Sequence, residues 1–130
     1  MNQNELKERT KQFALRVIRL SDTLPRQMAA DVIGRQLIRS ATSVAANYRA
    51  ACRGKSRADF ISKMGTVEEE ADESALWLEL LIDSQLVPAE RLGALRQEAD
   101  ELTAIVVSSI RTARSGSTNP QPAIRSPQSP

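Results

Sequence analysis

The chain has 130 residues, enough for one domain around one core, and 41% of them are hydrophobic while only 3% are aromatic. Its single cysteine, Cys52, excludes an internal disulfide framework and fits a reducing compartment, and the lack of histidine removes the commonest general base and neutral metal ligand. The net charge of +2 hides an asymmetry: residues 1–57 carry twelve Lys/Arg against four Asp/Glu, and residues 58–114 carry five against twelve.

The first predicted helix runs from about Asn4 to Asp22, with Leu6, Phe13, Val17, Leu20 and Leu24 on one stripe. Pro25 marks a break, or the first turn of the next helix, where its missing N–H costs nothing. The second helix is expected from about Arg26 to Cys52, with Met28, Val32, Ile33, Leu37, Ile38, Ala41, Val44, Ala45 and Tyr48 as its apolar positions. The small side chains of residues 41–47 predict a close helix crossing. Asn47 is out of place among them and suits either a helix break or a register-fixing role.

Gly54 and Ser56 supply the next turn, with Ser56 as N-cap and Asp59 completing a shortened capping box. The third helix then reaches about Ser84 through Phe60, Ile61, Met64, Val67, Ala71, Ala75, Leu78, Leu81 and Ile82. Leu86, Val87 and Pro88 close it. A fourth helix spans about Ala89 to Arg114, with Leu92, Leu95, Ala99, Leu102, Ile105, Val106 and Ile110 inward. Short links predict an all-α fold, an antiparallel up-down-up-down four-helix bundle over residues 1–114. Residues 115–130, rich in Pro and Ser, are expected to be a disordered tail. Leu76 falls outside the assigned stripe, Trp77, Leu80 and Leu81 sit on faces different from the Leu78–Ile82 ridge of the third helix, and that breadth predicts self-association.

No secretory or membrane-spanning run is present in the sequence, so cytoplasmic residence is the expectation. Dinucleotide, P-loop and zinc motifs are absent, and no enzyme activity or cofactor is expected. The acidic run Glu68–Glu70, Asp72 and Glu73 lacks the histidines of a di-metal site and reads as a solvated or subunit-facing ridge. The basic residues Arg49, Arg53, Lys55 and Arg57 cluster at one hairpin end, with Arg35 and Arg39 further along the second helix. Two readings compete. These cations contact the phosphates of RNA or DNA, or they pair with carboxylates such as Glu69 and Glu73 within and between subunits. Tyr48 and Trp77 are isolated and suit packing anchors rather than base stacking.

Three runs carry a resemblance: QLIRSATSVAAN (36–47), RADFI (57–61) and EEEADESALWL (68–78). Together they resemble the bacterial four-helix-bundle proteins of the 23S ribosomal RNA intervening-sequence type, a family that includes accessory variability proteins of diversity-generating retroelements. The resemblance covers about residues 5–114. It implies a bundle assembled as a ring-like pentamer, nucleic-acid binding through basic surfaces in the retroelement members, and a reverse transcriptase as their partner. It marks Arg39, Ser43 and Asn47 of the second helix, and Glu73 with Ser74 of the third, as structural or interfacial signature residues. Family members often follow the asparagine with a hydrophobe, Ala, Glu and Gly; here Tyr48-Arg49-Ala50-Ala51 replaces an acid with a base. The alternative remains a homo-oligomeric scaffold for an unidentified protein partner, with no nucleic-acid binding and no membrane contact.

Overall fold

The structure, a computed structural model, describes residues 1–116; the tail expected from residue 115 falls almost wholly outside them. Four helices follow in order: α1 (Gln3–Ser21), α2 (Met28–Cys52), α3 (Arg57–Asp83) and α4 (Ala89–Arg114). Each packs on its chain neighbours, and α1 closes the ring of helices against α4. Successive helices are antiparallel, as the short links require. No helix of the described residues is long and apolar enough to cross a membrane.

Local chemistry explains the helix ends. Asn2 caps α1 by accepting the Glu5 amide at 2.8 Å, and the Glu5 carboxylate accepts the Asn2 amide at 2.9 Å, a reciprocal capping box. The Ser56 hydroxyl accepts the Asp59 amide at 3.1 Å, but the Asp59 carboxylate turns to the Lys55 amide rather than to Ser56. Gln85 ends the α3 region with φ of 64°, a left-handed residue just past the helix. The α1–α2 link is longer than its sequence suggests. Pro25 lies in it, not in a helical turn, its carbonyl accepting the Gln27 amide at 2.9 Å, so α2 starts at Met28 rather than Arg26.

The core runs the length of the bundle. Phe13, Val17, Leu37, Val44, Met64, Val67, Leu78, Leu81, Leu92, Leu102 and Val106 are fully buried, and contributions come from all four helices. Two expected core residues of α2 point outward instead: Met28 is 84% exposed and Val32 54%. The inward positions there are Ala30 and Gly34, because Leu24 folds back from the link. A methyl group placed on Gly34 would meet the Leu24 Cδ1 at 2.7 Å. Where α2 meets α3, Ser40 and Ser74, both fully buried, bring their hydroxyls to 2.8 Å beside the buried Ala41 and Ala71, while Thr42, Ala45 and Ala46 of the small-residue segment line a groove beside α1.

Tyr48 is fully buried in the protomer's own core, beside Cys52. Burial pushes the Tyr48 phenol well above its ordinary range, and the adjacent Cys52 adds to this. Burial also raises Cys52, opposed by the Tyr48 hydroxyl and by the charges of Lys7 and Arg53. Both groups are acids held protonated by the fold. Their stabilisation is therefore complete below the unfolded values, about 8.5 for the thiol and about 10 for the phenol, and declines as pH rises toward the folded ones. Tyr48 is the only tyrosine, so tyrosinate absorbance reads it alone. That absorbance is expected to rise together with loss of helical circular dichroism, in one step. A smooth titration near pH 10 with the dichroism intact would show that water reaches the phenol.

Candidate nucleic-acid interface

The loop between α2 and α3 is held in a tight form. Gly54 is buried, and a methyl group there would lie 3.0 Å from the Ala51 carbonyl oxygen and 3.1 Å from the Asp59 carboxylate. A side chain there would require these neighbours to give by a few tenths of an ångström. Arg53, Lys55 and Arg57 flank it, and all three are exposed, as is Arg49 one turn back in α2. Among the described residues none of these four forms an ion pair; the nearest carboxylate, Asp59, is held by Lys63 at 2.6 Å. The Lys63 hydrogen bond and then the Lys55 amide keep the Asp59 carboxyl below its ordinary range.

Antiparallel packing adds cations from other helices. A groove of about 550 Å³ between α1 and α2 is lined by Lys11, Leu15, Thr42, Ala46, Arg49 and Arg53. Lys7, a turn before Lys11, is near enough to Cys52 to act on its thiol. The last turn of α4 carries Arg111 and Arg114, and Gly116 just beyond lies against Arg57, whose Nη1 would sit 3.2 Å from a methyl group there. One end of the bundle thus gathers exposed cations from all four helices that form no ion pair among the described residues. What joins Lys11, Arg111 and Arg114 to the α2–α3 loop is the topology, which brings the ends of α2 and α4 beside the starts of α1 and α3.

The other two cations singled out in α2 are placed differently. Arg39 pairs with Glu70 and Glu73 of α3, and its hydrogen bond to Glu73 raises its pKa above the already high ordinary value. Arg35 lies toward the opposite end, beside the α1–α2 link, and pairs with Asp31 at 3.1 Å. Glu73 also accepts the Trp77 indole N–H at 3.2 Å, which fixes that half-buried ring on the surface of α3. Glu69 is exposed, without an ion pair among the described residues. Ser43 and Asn47 are half-buried, and Asn47 donates to the Ser43 carbonyl at 2.9 Å, so its amide is satisfied within its own helix. Ser74 is at the α2–α3 crossing.

Among the described residues no group of three or more His, Cys, Asp or Glu could hold a metal ion. What the basic end offers is charge at a fixed spacing on rigid helices.

Comparison with known proteins agrees with the fold. The family described as 23S rRNA-intervening sequence protein matches residues 2–108. A crystal structure from Bacteroides thetaiotaomicron, of a protein with unknown function from the S23 ribosomal protein family, is similar at a TM-score of 0.79 and 35% identity. The match covers 86% of this chain and 100% of that one. None of the curated proteins matches. With a match over most of its length and a similar solved bundle, this chain belongs to the 23S rRNA-intervening sequence protein family.

Proposed function

We propose that the chain is a non-catalytic bundle that binds nucleic acid through phosphate contacts from its basic end. Arg49, Arg53, Lys55 and Arg57 form the centre of the surface, and Lys11 extends it along the α1–α2 groove. The observation that supports this reading is the division of the arginines: Arg39 and Arg35 have carboxylate partners, whereas the cations at the α2–α3 loop have none among the described residues. Unpaired guanidinium groups on a rigid frame suit phosphate oxygens and carry no sequence preference of their own. The family's description refers to an intervening sequence of 23S rRNA, so a structured RNA is a natural probe beside duplex DNA.

The test is fluorescence anisotropy of both probes at about 50 and 200 mM salt. Four phosphate contacts give a slope near −3.6 in log K against log salt, hence a loss of affinity of about 10²-fold over that range. The variant Arg49→Gln/Arg53→Gln/Lys55→Gln/Arg57→Gln should lose most of that slope. Absence of binding to either probe at the lower salt would overturn the proposal.

One observation favours a second reading. Leu76 and Leu80 of α3, which continue the helical row of Glu69 and Asp72, are large apolar side chains left exposed. A homo-oligomeric scaffold, pentameric as the family resemblance implies, would cover such a face without binding nucleic acid. A nucleic-acid enzyme such as a reverse transcriptase would be the partner if the likeness to retroelement accessory proteins extends to this chain. Light scattering after gel filtration separates the assembly question from the binding one.

A further inference from the structure

The α1–α4 seam changes character along its length. Near the start of α1 it is clamped by charge: Arg9 reaches Glu98 at 2.7 and 2.8 Å and Glu101 at 2.6 Å. Two turns further along α1 the pattern reverses. Arg16 and Arg19, three residues apart and so on neighbouring positions of the helix, face a groove of about 400 Å³ whose far side is Arg91, Ala94 and Leu95 of α4. Among the described residues none of these three guanidinium groups forms an ion pair. By contrast, Arg9, Arg39 and Arg96, which also sit at helix seams, all pair with a carboxylate. The nearby acids, Asp22 just past α1 and Glu90 in the first turn of α4, are exposed and form no ion pair with these arginines. Three like charges gathered from two helices repel one another, and an anion in the groove would remove that cost. Leu20 and Leu95 give the groove an apolar floor beneath the charged rim.

We propose that this groove is a second phosphate-binding site, separate from the basic end. It lies on the other flank of α1 and toward the opposite end of the bundle. The ligand chemistry is a phosphate group held by two or three guanidinium forks. Where the basic end binds a polynucleotide, α1 stands between two points of contact with it, and the groove takes the phosphates beyond the helix; that last step rests on the proposed function, while the groove itself does not.

The experiment uses the full chain and two variants, Arg16→Gln/Arg19→Gln/Arg91→Gln for the groove and Arg49→Gln/Arg53→Gln for the basic end. The first readout is the unfolding midpoint with added tripolyphosphate at constant ionic strength. A rise in the native chain that persists in the basic-end variant and disappears in the groove variant is expected. No rise in the native chain, or an equal rise in the groove variant, would overturn the site. The second readout is the salt dependence of duplex DNA and structured RNA binding. A slope smaller by about 2.7 in the groove variant assigns the site to polynucleotide phosphates. A slope unchanged in the groove variant, with the tripolyphosphate rise present in the native chain and lost in that variant, assigns the site to free phosphate-bearing ligands and leaves the basic-end reading to its own variant.

Discussion

Phe13→Ala is expected to lower stability by about 3–5 kcal/mol, a large part of the roughly 5–15 kcal/mol that holds a domain of this size. The ring is fully buried, and α1 has little else to hold it. Its buried residues are Leu6, Thr10, Phe13, Ala14 and Val17, whereas each of the other helices is longer and buries eight or more. Removing the ring leaves a cavity that its rigid neighbours fill only in part, so the lost transfer energy and the cavity add. Urea unfolding should show a lower midpoint with an unchanged slope. Hydrogen exchange should quicken in α1 before the other helices, since a helix tied down at few points opens locally. A loss below about 1.5 kcal/mol would mean that α1 repacks around the gap and that Leu6 and Val17 carry the attachment.

The helices were legible because each has an apolar stripe at helical spacing and because Pro88 and the Gly54–Ser56 turn punctuate them; α4 runs from Ala89 to Arg114 as its pattern predicts. The start of α2 was not. Ranking side chains by hydrophobicity turns Met28 and Val32 inward, yet the chain reverses at the link and delivers Leu24 into that space. Only Ala30 and Gly34 then fit beneath it. The Asn2–Glu5 capping box carries a sequence signal, an N-cap side chain followed three residues later by Glu, but no apolar run accompanies it that early. Charge was legible as a total and not as pairing. Arg39 and Arg49 look alike in sequence; register separates them. With Ser40 opposite Ser74, Arg39 falls among the carboxylates of α3, whereas Arg49 and Arg53, further along α2, line the groove beside Lys11 of α1. The α1–α4 groove depends on a seam between the first and last helices, which no local pattern announces.

Ser74→Leu is expected to cost about 1–3 kcal/mol by overpacking, while Ser74→Ala should cost about 1 kcal/mol or less. The contrast isolates size from hydrogen bonding. Ser40 and Ser74 touch at 2.8 Å where both are fully buried, and the neighbouring Ala41 and Ala71 leave no slack to absorb a larger group. Ser74→Ala removes one partner, but the Ser40 hydroxyl still donates to the Leu37 carbonyl at 3.2 Å, so no buried donor is stranded. Ser40→Ala combined with Ser74→Ala should then lie near the sum of the single changes or be milder than it, because removing both hydroxyls leaves neither without the other. If Ser74→Leu cost no more than Ser74→Ala, the crossing would not be limited by size. A wider crossing also has a functional consequence. It draws α2 from α3 beside the place where Arg39 meets Glu70 and Glu73. Parting them would return a guanidinium group to solvent and place an additional unpaired cation on α2, so anisotropy titrations of Ser74→Leu should show a steeper salt slope than those of Ser74→Ala.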